Sequence, residues 1–214
     1  MKLKACIFDL DGTLLDSMHV WDNLGANYLK SLNIIPPEDI REILKPMSIL
    51  QATQYLRKEF GITYTDDEII TQLTHILEQA YFYNIKLKAG VIEFLEKLKT
   101  QGVKMCIATA TEKYLVEAAV KRLKIFDYFE FITTCTCVGT GKDNPIIYQK
   151  SLKKLGAKLD EAIVFEDALY AIETAKKAGF TVVGIYDPSA GSDSEKIKKI
   201  CDYYTTNLMC LDFI

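Results

Sequence analysis

The segment Ala5-Cys6-Ile7-Phe8-Asp9-Leu10-Asp11-Gly12-Thr13 decides how this chain is expected to fold. Its first four residues are apolar without alternation, which is typical of a parallel strand that is covered on both faces. Gly12 then allows a sharp turn. Side chains two residues apart point the same way in an extended segment, so Asp9 and Asp11 can address one ligand together. Asp-Gly pairs also occur in simple turns, where the acids only cap the backbone, and this alternative stays open here.

The composition is that of an ordinary globular protein. The chain has 214 residues, of which 49% are hydrophobic and 26% charged, and this balance excludes disordered and fibrous classes. A formal net charge of -3 offers no general attraction to nucleic acid or to an anionic membrane, so we expect neither as a partner. No apolar stretch precedes the first strand, which predicts a cytoplasmic protein without a signal peptide. We expect a monomer.

The six cysteines are predicted to be reduced thiols. Cys6 and Cys106 lie inside predicted strands as small apolar residues. Cys135 and Cys137 are close in sequence, but no second pair of Cys or His ligands follows at zinc spacing.

Outside residues 16 to 84 the chain alternates strand and helix patterns, which indicates an α/β protein with a Rossmann-like parallel sheet. After the first strand, further strands are predicted at 103–108, 129–133, 162–165, 181–185 and 203–205. Helices are predicted at 91–100, 146–155 and 169–178.

Residues 16 to 84 show only helical patterns, at 18–32, 37–44, 49–60 and 66–83, separated by prolines and Gly61. The sequence therefore predicts an α/β core domain from residues 1–15 and 86–214. A helical domain of residues 16–85 is inserted into it directly after the first strand.

Polar residues follow several predicted strands. Thr109-Ala110-Thr111 ends the second strand beside a helix N-terminus, where a hydroxyl can hold phosphate oxygens. From spacing alone, however, Thr111 is better explained as an N-cap. Lys142 lies in a loop and would by itself be interpreted as a solvated charge. Glu166 and Asp167 follow the fourth strand as Asp9 follows the first, so these acids are expected to converge at one edge of the sheet.

The stretch from Phe8 to Ser17 resembles the first motif of the haloacid dehalogenase superfamily, and the later polar residues match its other three motifs in order. The resemblance implies that Asp9 is a nucleophile that becomes an aspartyl phosphate and that Asp11 is the general acid and base. The remaining implied roles are phosphate binding by Thr109, Ala110, Thr111 and Lys142, a catalytic role for Lys142, and Mg²⁺ binding by Asp9, Asp11, Glu166 and Asp167. The helical insertion matches the C1 cap of the β-phosphoglucomutase-like and phosphoglycolate-phosphatase-like branch.

The chain departs from that branch at several positions. Asp143 replaces a proline after the motif lysine, and Ala168 and Ala171 replace a serine and a glycine after the acidic pair. At two positions that distinguish the mutases, Ile49 replaces an arginine and Trp21 replaces a histidine. These two changes favour hydrolysis over phosphosugar mutation.

The sequence thus predicts a Mg²⁺-dependent phosphatase for a small phosphorylated metabolite. A β-phosphoglucomutase-like mutase is the first alternative, and a catalytically weak binding or regulatory module is the second. Trp21, His19 and Lys45 are candidate substrate contacts from the helical domain, although each also fits an ordinary surface or packing role.

Overall fold

The computed structural model describes residues 3–44, 47 and 49–211. The chain forms two compact units. One contains the residues up to Ser17 together with those from Ile85 onward, and the other runs from Met18 to Asn84. Within the described ranges, no helix is both long and apolar enough to cross a membrane.

All the strands of the described chain lie in the first unit. They are β1 (Ala5–Phe8), β2 (Leu15–Asp16), β3 (Lys86–Leu87), β4 (Lys104–Thr109), β5 (Phe131–Thr134), β6 (Ala162–Glu166), β7 (Thr181–Ile185) and β8 (Tyr203–Thr205). Six of them form one sheet in the order β5-β4-β1-β6-β7-β8, and every neighbouring pair is parallel. β2 and β3 form a separate antiparallel pair. The predicted α/β class and parallel sheet are confirmed.

The α-helices alternate with the strands in the first unit and make up the second. They are α1 (Met18–Asp22), α2 (Leu24–Ser31), α3 (Ile40–Leu44), α4 (Ile49–Glu59), α5 (Asp66–Gln79), α6 (Val91–Thr100), α7 (Lys113–Arg122), α8 (Cys135–Val138), α9 (Ile146–Leu155), α10 (Leu169–Lys177) and α11 (Ser194–Ile200). A π-helical turn, Ala80–Asn84, continues α5. Short 3₁₀ turns cover Phe126–Tyr128, Leu159–Glu161, Pro188–Asp193 and Leu208–Cys210.

Strand β1 is central, and both of its faces are buried, which explains its apolar sequence. Ala5 and Ile7 belong to a core cluster that includes Tyr148 of α9. On the other face the Phe8 ring stacks on Phe165 with centroids 4.4 Å apart. Burial of each such phenylalanine contributes roughly 1.5–3 kcal/mol. The centre of the sheet is therefore a rigid support for the residues that follow β1 and β6.

The helical pattern predicted at 18–32 is two helices rather than one. Asn23 interrupts it with φ -101° and ψ 4°, and its side-chain amide donates to the carbonyl of His19 at 2.7 Å. Asparagine often makes such local bonds, which compete with helix formation. The helix predicted at 37–44 begins only at Ile40, and the one predicted at 66–83 changes to a π turn after Gln79. All six cysteines are free thiols, as predicted.

Candidate active site

The site lies where β1, β4 and β6 end. Because β1 pairs in parallel with both neighbours, the carboxyl ends of the three strands meet at one edge of the sheet. Asp9 follows β1 directly, and its N–H donates to the carbonyl of Phe165 at 2.9 Å, which continues the pairing with β6. Glu166 ends β6 and Thr109 ends β4. The topology thus brings together residues that are far apart in the sequence.

A lysine from a loop joins the two acidic strands. The Lys142 ammonium donates to Oδ1 of Asp9 and to Oε1 of Glu166. Lys142 is 4% exposed, Asp9 6% and Glu166 1%, so these are buried, charge-assisted bonds. The interpretation of Lys142 as a solvated surface charge is therefore wrong.

The Glu166 carboxylate accepts four hydrogen bonds. Oε1 receives the Lys142 ammonium and also the hydroxyl of Tyr148 at 3.2 Å. Oε2 receives the N–H groups of Asp167 at 3.0 Å and of Ala168 at 3.2 Å. A carboxylate offers about four lone-pair positions, so this side chain is held firmly in one orientation.

Asp167 completes a cluster of three buried carboxylates. One oxygen each of Asp9, Glu166 and Asp167 can be chosen so that all lie within 4.8 Å of one another. The hydroxyl of Thr13 donates to Oδ1 of Asp167 at 3.3 Å. Clustered carboxylate oxygens are the ligands that hard divalent cations such as Mg²⁺ prefer.

The charges of this cluster are unbalanced within the protein. Burial, together with the neighbouring Glu166 and Asp11, raises the pKa of Asp9 to about 8, although the Lys142 ammonium acts in the opposite direction. Burial also raises the pKa of Asp167 well above its usual range, and the charges of Glu166 and Asp9 add to this effect. Burial would lower the pKa of Lys142, but the adjacent Asp9 and Glu166 outweigh it and keep the lysine charged. Three carboxylates facing one ammonium form a site that a divalent cation fits in charge and in ligand type.

Asp11 is oriented by two hydroxyl groups. Ser17 donates to its Oδ1 and Thr111 to its Oδ2, both at 2.6 Å. The predicted N-cap role of Thr111 is wrong, because α7 begins at Lys113 with Glu112 at the N-cap position. The Thr111 side chain bonds to Asp11 instead.

Thr109 and Ala110 lie beside Asp11 at the end of β4. Thr109 is buried, and its hydroxyl oxygen accepts the N–H of Thr111 at 3.1 Å, whereas Ala110 is exposed. This turn places a threonine hydroxyl and the following amides at the same edge as Asp9. The phosphate-binding role of these residues stays a prediction.

The loop before α9 carries the departure from the lysine motif. Asp143 is exposed, and its carboxylate lies so close to Gly141 that a Cβ at that glycine would come within 2.6 Å of it. The Asn144 side chain accepts the N–H of Ile146 at 3.1 Å and so stabilises the start of α9, while Pro145 occupies the N-cap position itself. Asp143 therefore packs against its own loop, and Lys142 is buried without the motif proline.

Two of the three candidate substrate contacts lie in the described part of the helical unit. The Trp21 indole N–H donates to the hydroxyl of Tyr81 at 2.9 Å, and His19 is exposed on α1. Lys45 lies outside the described residues. The roles of these three residues in substrate binding stay predictions.

Sequence reasoning missed three hydroxyl residues of the site. Thr13, Ser17 and Tyr148 bond to Asp167, Asp11 and Glu166 respectively. Thr13 and Ser17 lie inside the first motif, from Phe8 to Ser17, but their sequence positions do not reveal their acceptors. Tyr148 follows the helical period of α9 as a core residue, and nothing in that pattern indicates a partner for its hydroxyl.

The fold and this constellation of residues define a hydrolase of a known class. Residues 6–185 match the family model described as haloacid dehalogenase-like hydrolase, and the chain belongs to this family. The predicted membership of the haloacid dehalogenase superfamily is thereby confirmed.

Two relatives and one solved structure illustrate the similarity. The chain is 25% identical over 177 residues to the phosphorylated carbohydrates phosphatase of Thermotoga maritima, covering 83% of this chain and 82% of that protein. It is 28% identical over 184 residues to the pyrophosphatase PpaX of Bacillus cereus, with coverage of 84% and 81%. A crystal structure of a CbbY variant from Rhodobacter sphaeroides with xylulose-(1,5)bisphosphate has a TM-score of 0.80 at 20% identity. That similarity covers 98% of this chain and 96% of the other, and it shows a shared fold.

Proposed function

We propose that the protein is a Mg²⁺-dependent phosphatase that hydrolyses a small phosphorylated metabolite, such as a sugar phosphate. The observation that carries the proposal is the buried Asp9 carboxylate, held by Lys142 within a cluster of three acids. Asp11 stands two residues later with both oxygens held by hydroxyl groups. Family membership and relatives that are named as phosphatases support the same reaction class.

The residues present fit a magnesium ion. Asp9 and Asp167 would hold it through side-chain oxygens and Asp11 through its backbone carbonyl. Glu166, whose four acceptor positions are already filled, would contribute negative charge beside the ion. The ion would supply positive charge that offsets the repulsion between the nucleophile and the phosphate. That repulsion is about 4 kcal/mol per pair of unit charges at 4 Å and an effective dielectric constant of about 20. Lys142 neutralises part of the charge from the protein side.

The reaction has two steps. An oxygen of Asp9 attacks phosphorus, the bond from phosphorus to the leaving oxygen breaks, and protonated Asp11 gives its proton to the leaving alcohol. Asp11 then accepts a proton from water, which attacks the aspartyl phosphate, releases inorganic phosphate and restores Asp9. The hydroxyl of Thr109 and the amide of Ala110 bind the phosphate oxygens throughout. The N–H of Thr111 donates to the Thr109 hydroxyl oxygen and so orients that hydroxyl.

The hydrogen bonding of Trp21 favours hydrolysis over the mutase alternative. An indole is a donor only, and the single polar atom of Trp21 is already bonded to Tyr81 within the helical unit. It cannot accept or relay a proton as a histidine at this position could. Ile49, where the mutases have an arginine, likewise carries no charge for a second phosphate.

The test is hydrolysis of p-nitrophenyl phosphate with Mg²⁺ by three proteins: wild type, Asp9→Asn and Asp160→Asn. Asp160 is exposed in a turn before β6, at the opposite end of that strand, and gives a control with the same chemical change. We expect Asp9→Asn to lower kcat at least roughly 10³-fold, because a nucleophile is lost. Asp160→Asn should keep wild-type kcat. Equal activity of Asp9→Asn and wild type would show that Asp9 is not the nucleophile.

A panel of phosphorylated metabolites then separates the three candidate functions. It includes β-glucose 1-phosphate with a trace of the 1,6-bisphosphate, and both inorganic phosphate and glucose 6-phosphate are measured. Release of phosphate supports the phosphatase, and formation of glucose 6-phosphate without release supports the mutase. No turnover of any compound by folded, Mg²⁺-loaded protein would support the binding module.

A further inference from the structure

Tyr148 is a buried phenol that takes part in none of the steps above. It lies on α9, six residues after Lys142, and its side chain is fully buried. Its ring packs against Phe180 with centroids 6.1 Å apart, so the position of the hydroxyl is set by the core. The hydroxyl donates to Oε1 of Glu166 at 3.2 Å.

The acceptor of this bond is the same oxygen that receives the Lys142 ammonium. Oε2 of Glu166 is fixed by two backbone N–H groups, so Tyr148 and Lys142 are the side chains that decide where Oε1 lies. Lys142 in turn bonds to Asp9. A continuous chain of hydrogen bonds thus runs from the core-packed tyrosine through Glu166 and Lys142 to Asp9.

We propose that Tyr148 is a positioning residue that, by holding Oε1 of Glu166, keeps the Lys142 ammonium against Asp9. The inference rests on the proposed function, because it assigns a purpose to the lysine of that site. Tyr148 touches neither substrate nor the reacting atoms.

The physical reason lies in how Glu166 and Asp9 share the ammonium. Without the phenol, the ammonium would be the sole side-chain donor that the described residues give to Oε1 of Glu166, and this oxygen would draw the ammonium away from Asp9. Lys142 lies in a loop with glycines at 139 and 141, which restrains it less than a helix would.

The kinetic experiment compares Tyr148→Phe with wild type and with Tyr28→Phe. Tyr28 is an equally buried tyrosine of α2, and its hydroxyl has no hydrogen-bond partner among the described residues. With p-nitrophenyl phosphate and Mg²⁺, we expect Tyr148→Phe to lower kcat about tenfold, the effect of about 1.4 kcal/mol of lost positioning. KM should stay within about twofold, since binding of the substrate does not involve the phenol. Tyr28→Phe should retain both constants.

A second measurement tests the bond without relying on activity. Free energies of unfolding are measured for Tyr148→Phe, Glu166→Gln and the double variant. A direct bond predicts that the double variant is less destabilised than the sum of the single ones, since each single change removes the same interaction. Additive effects, or a wild-type kcat in Tyr148→Phe, would overturn the positioning role. An inactive wild type combined with clear coupling would instead count against the proposed function alone.

Discussion

At the scale of single residues, the orientation of Asp11 depends on hydroxyl groups that are themselves buried. Thr111 is 4% exposed and Ser17 is inaccessible to solvent. Neither hydroxyl can therefore replace its hydrogen bond to Asp11 by one to bulk water unless the side chain moves. A hydrogen bond to a charged group contributes about 1.5–3 kcal/mol. The general acid and base of the proposed reaction is therefore aimed by its neighbours rather than by its own backbone.

We expect Thr111→Val to lower kcat for p-nitrophenyl phosphate by about tenfold while the protein stays folded, because valine keeps the shape of threonine and removes its donor. Thr53→Val is the matched control, since Thr53 is buried on α4 and its hydroxyl lacks a partner in the described ranges. Steady-state kinetics and thermal melting of both variants are the measurements. A loss of activity in Thr53→Val as large as in Thr111→Val would mean that the hydroxyl bond to Asp11 is not the cause.

The sequence identified the acids of the site but not the side chains that hold them. Asp9, Glu166 and Asp167 are predictable because each lies at or directly after the end of an apolar strand, and parallel strands end at one edge. Tyr148 and Thr13 are not predictable in this way. Their hydroxyls reach acceptors 18 and 154 residues away, and local patterns of polarity describe neither distance.

At the scale of elements, the pair β2 and β3 is anchored to the end of β7. Lys88 follows β3, and its ammonium bonds to Oδ2 of Asp187 at 2.8 Å and to the carbonyl of Tyr186 at 2.8 Å. Its N–H donates to the carbonyl of Leu14 at 2.9 Å. The ion pair is mostly buried, with 17% of the Lys88 side chain and 3% of the Asp187 side chain exposed. These bonds fix the segments through which the chain leaves and re-enters the first unit.

This ion pair predicts a specific dependence of stability on pH. Burial alone would raise the pKa of Asp187, but the bonds from Lys88 and Ser189 outweigh it and hold the pKa below its ordinary value of 3.8. A carboxyl whose pKa is lowered in the folded state stabilises that state above the pKa of the unfolded chain, and the stabilisation disappears as pH falls through the folded value. We therefore expect Asp187→Asn to lose about 2 kcal/mol of unfolding free energy at pH 7 and at pH 5. The difference from wild type should shrink only below about pH 4.

Urea unfolding at pH 7, 5 and 3.5 measures that difference. Glu195→Gln is the control, since the pair of Glu195 with Lys198 is solvent-exposed and should contribute nothing measurable. If the difference in unfolding free energy between Asp187→Asn and wild type already decreases between pH 7 and 5, the pKa of Asp187 is not lowered by Lys88 and Ser189.

Strand positions were more predictable than helix boundaries, for a physical reason. Buried parallel strands must be apolar along their whole length, so the patterns at 162–165 and 181–185 nearly coincide with β6 and β7. Helix ends depend on local bonds such as that of Asn23, which splits the predicted helix at 18–32. The short strands β2 and β3 have only two residues each, too few for any periodic signal.

At the scale of the whole molecule, the acidic cluster lowers the stability of the fold while it provides the groups that the proposed reaction needs. Burying carboxylates without full compensation costs stability, and the raised pKa values of Asp9 and Asp167 report that cost. Functional sites often carry such a cost, and substitutions that remove it stabilise the fold while abolishing activity. The protein with a cation bound should be the stable form.

Thermal melting of Asp167→Asn with and without Mg²⁺ tests this balance on the complete chain. The amide can still accept the bond from Thr13 but brings no charge, so in EDTA we expect the variant to melt at a higher temperature than wild type. Adding Mg²⁺ at about 100 times its Kd should stabilise wild type by about 2.7 kcal/mol, where each kcal/mol corresponds to about 2–4 °C. The variant should show no such shift, and NaCl at equal ionic strength should shift neither protein. If Mg²⁺ raised the melting temperature of Asp167→Asn as much as that of wild type, Asp167 would not be a ligand of the cation. The loss of a carboxylate ligand must weaken the binding of the ion.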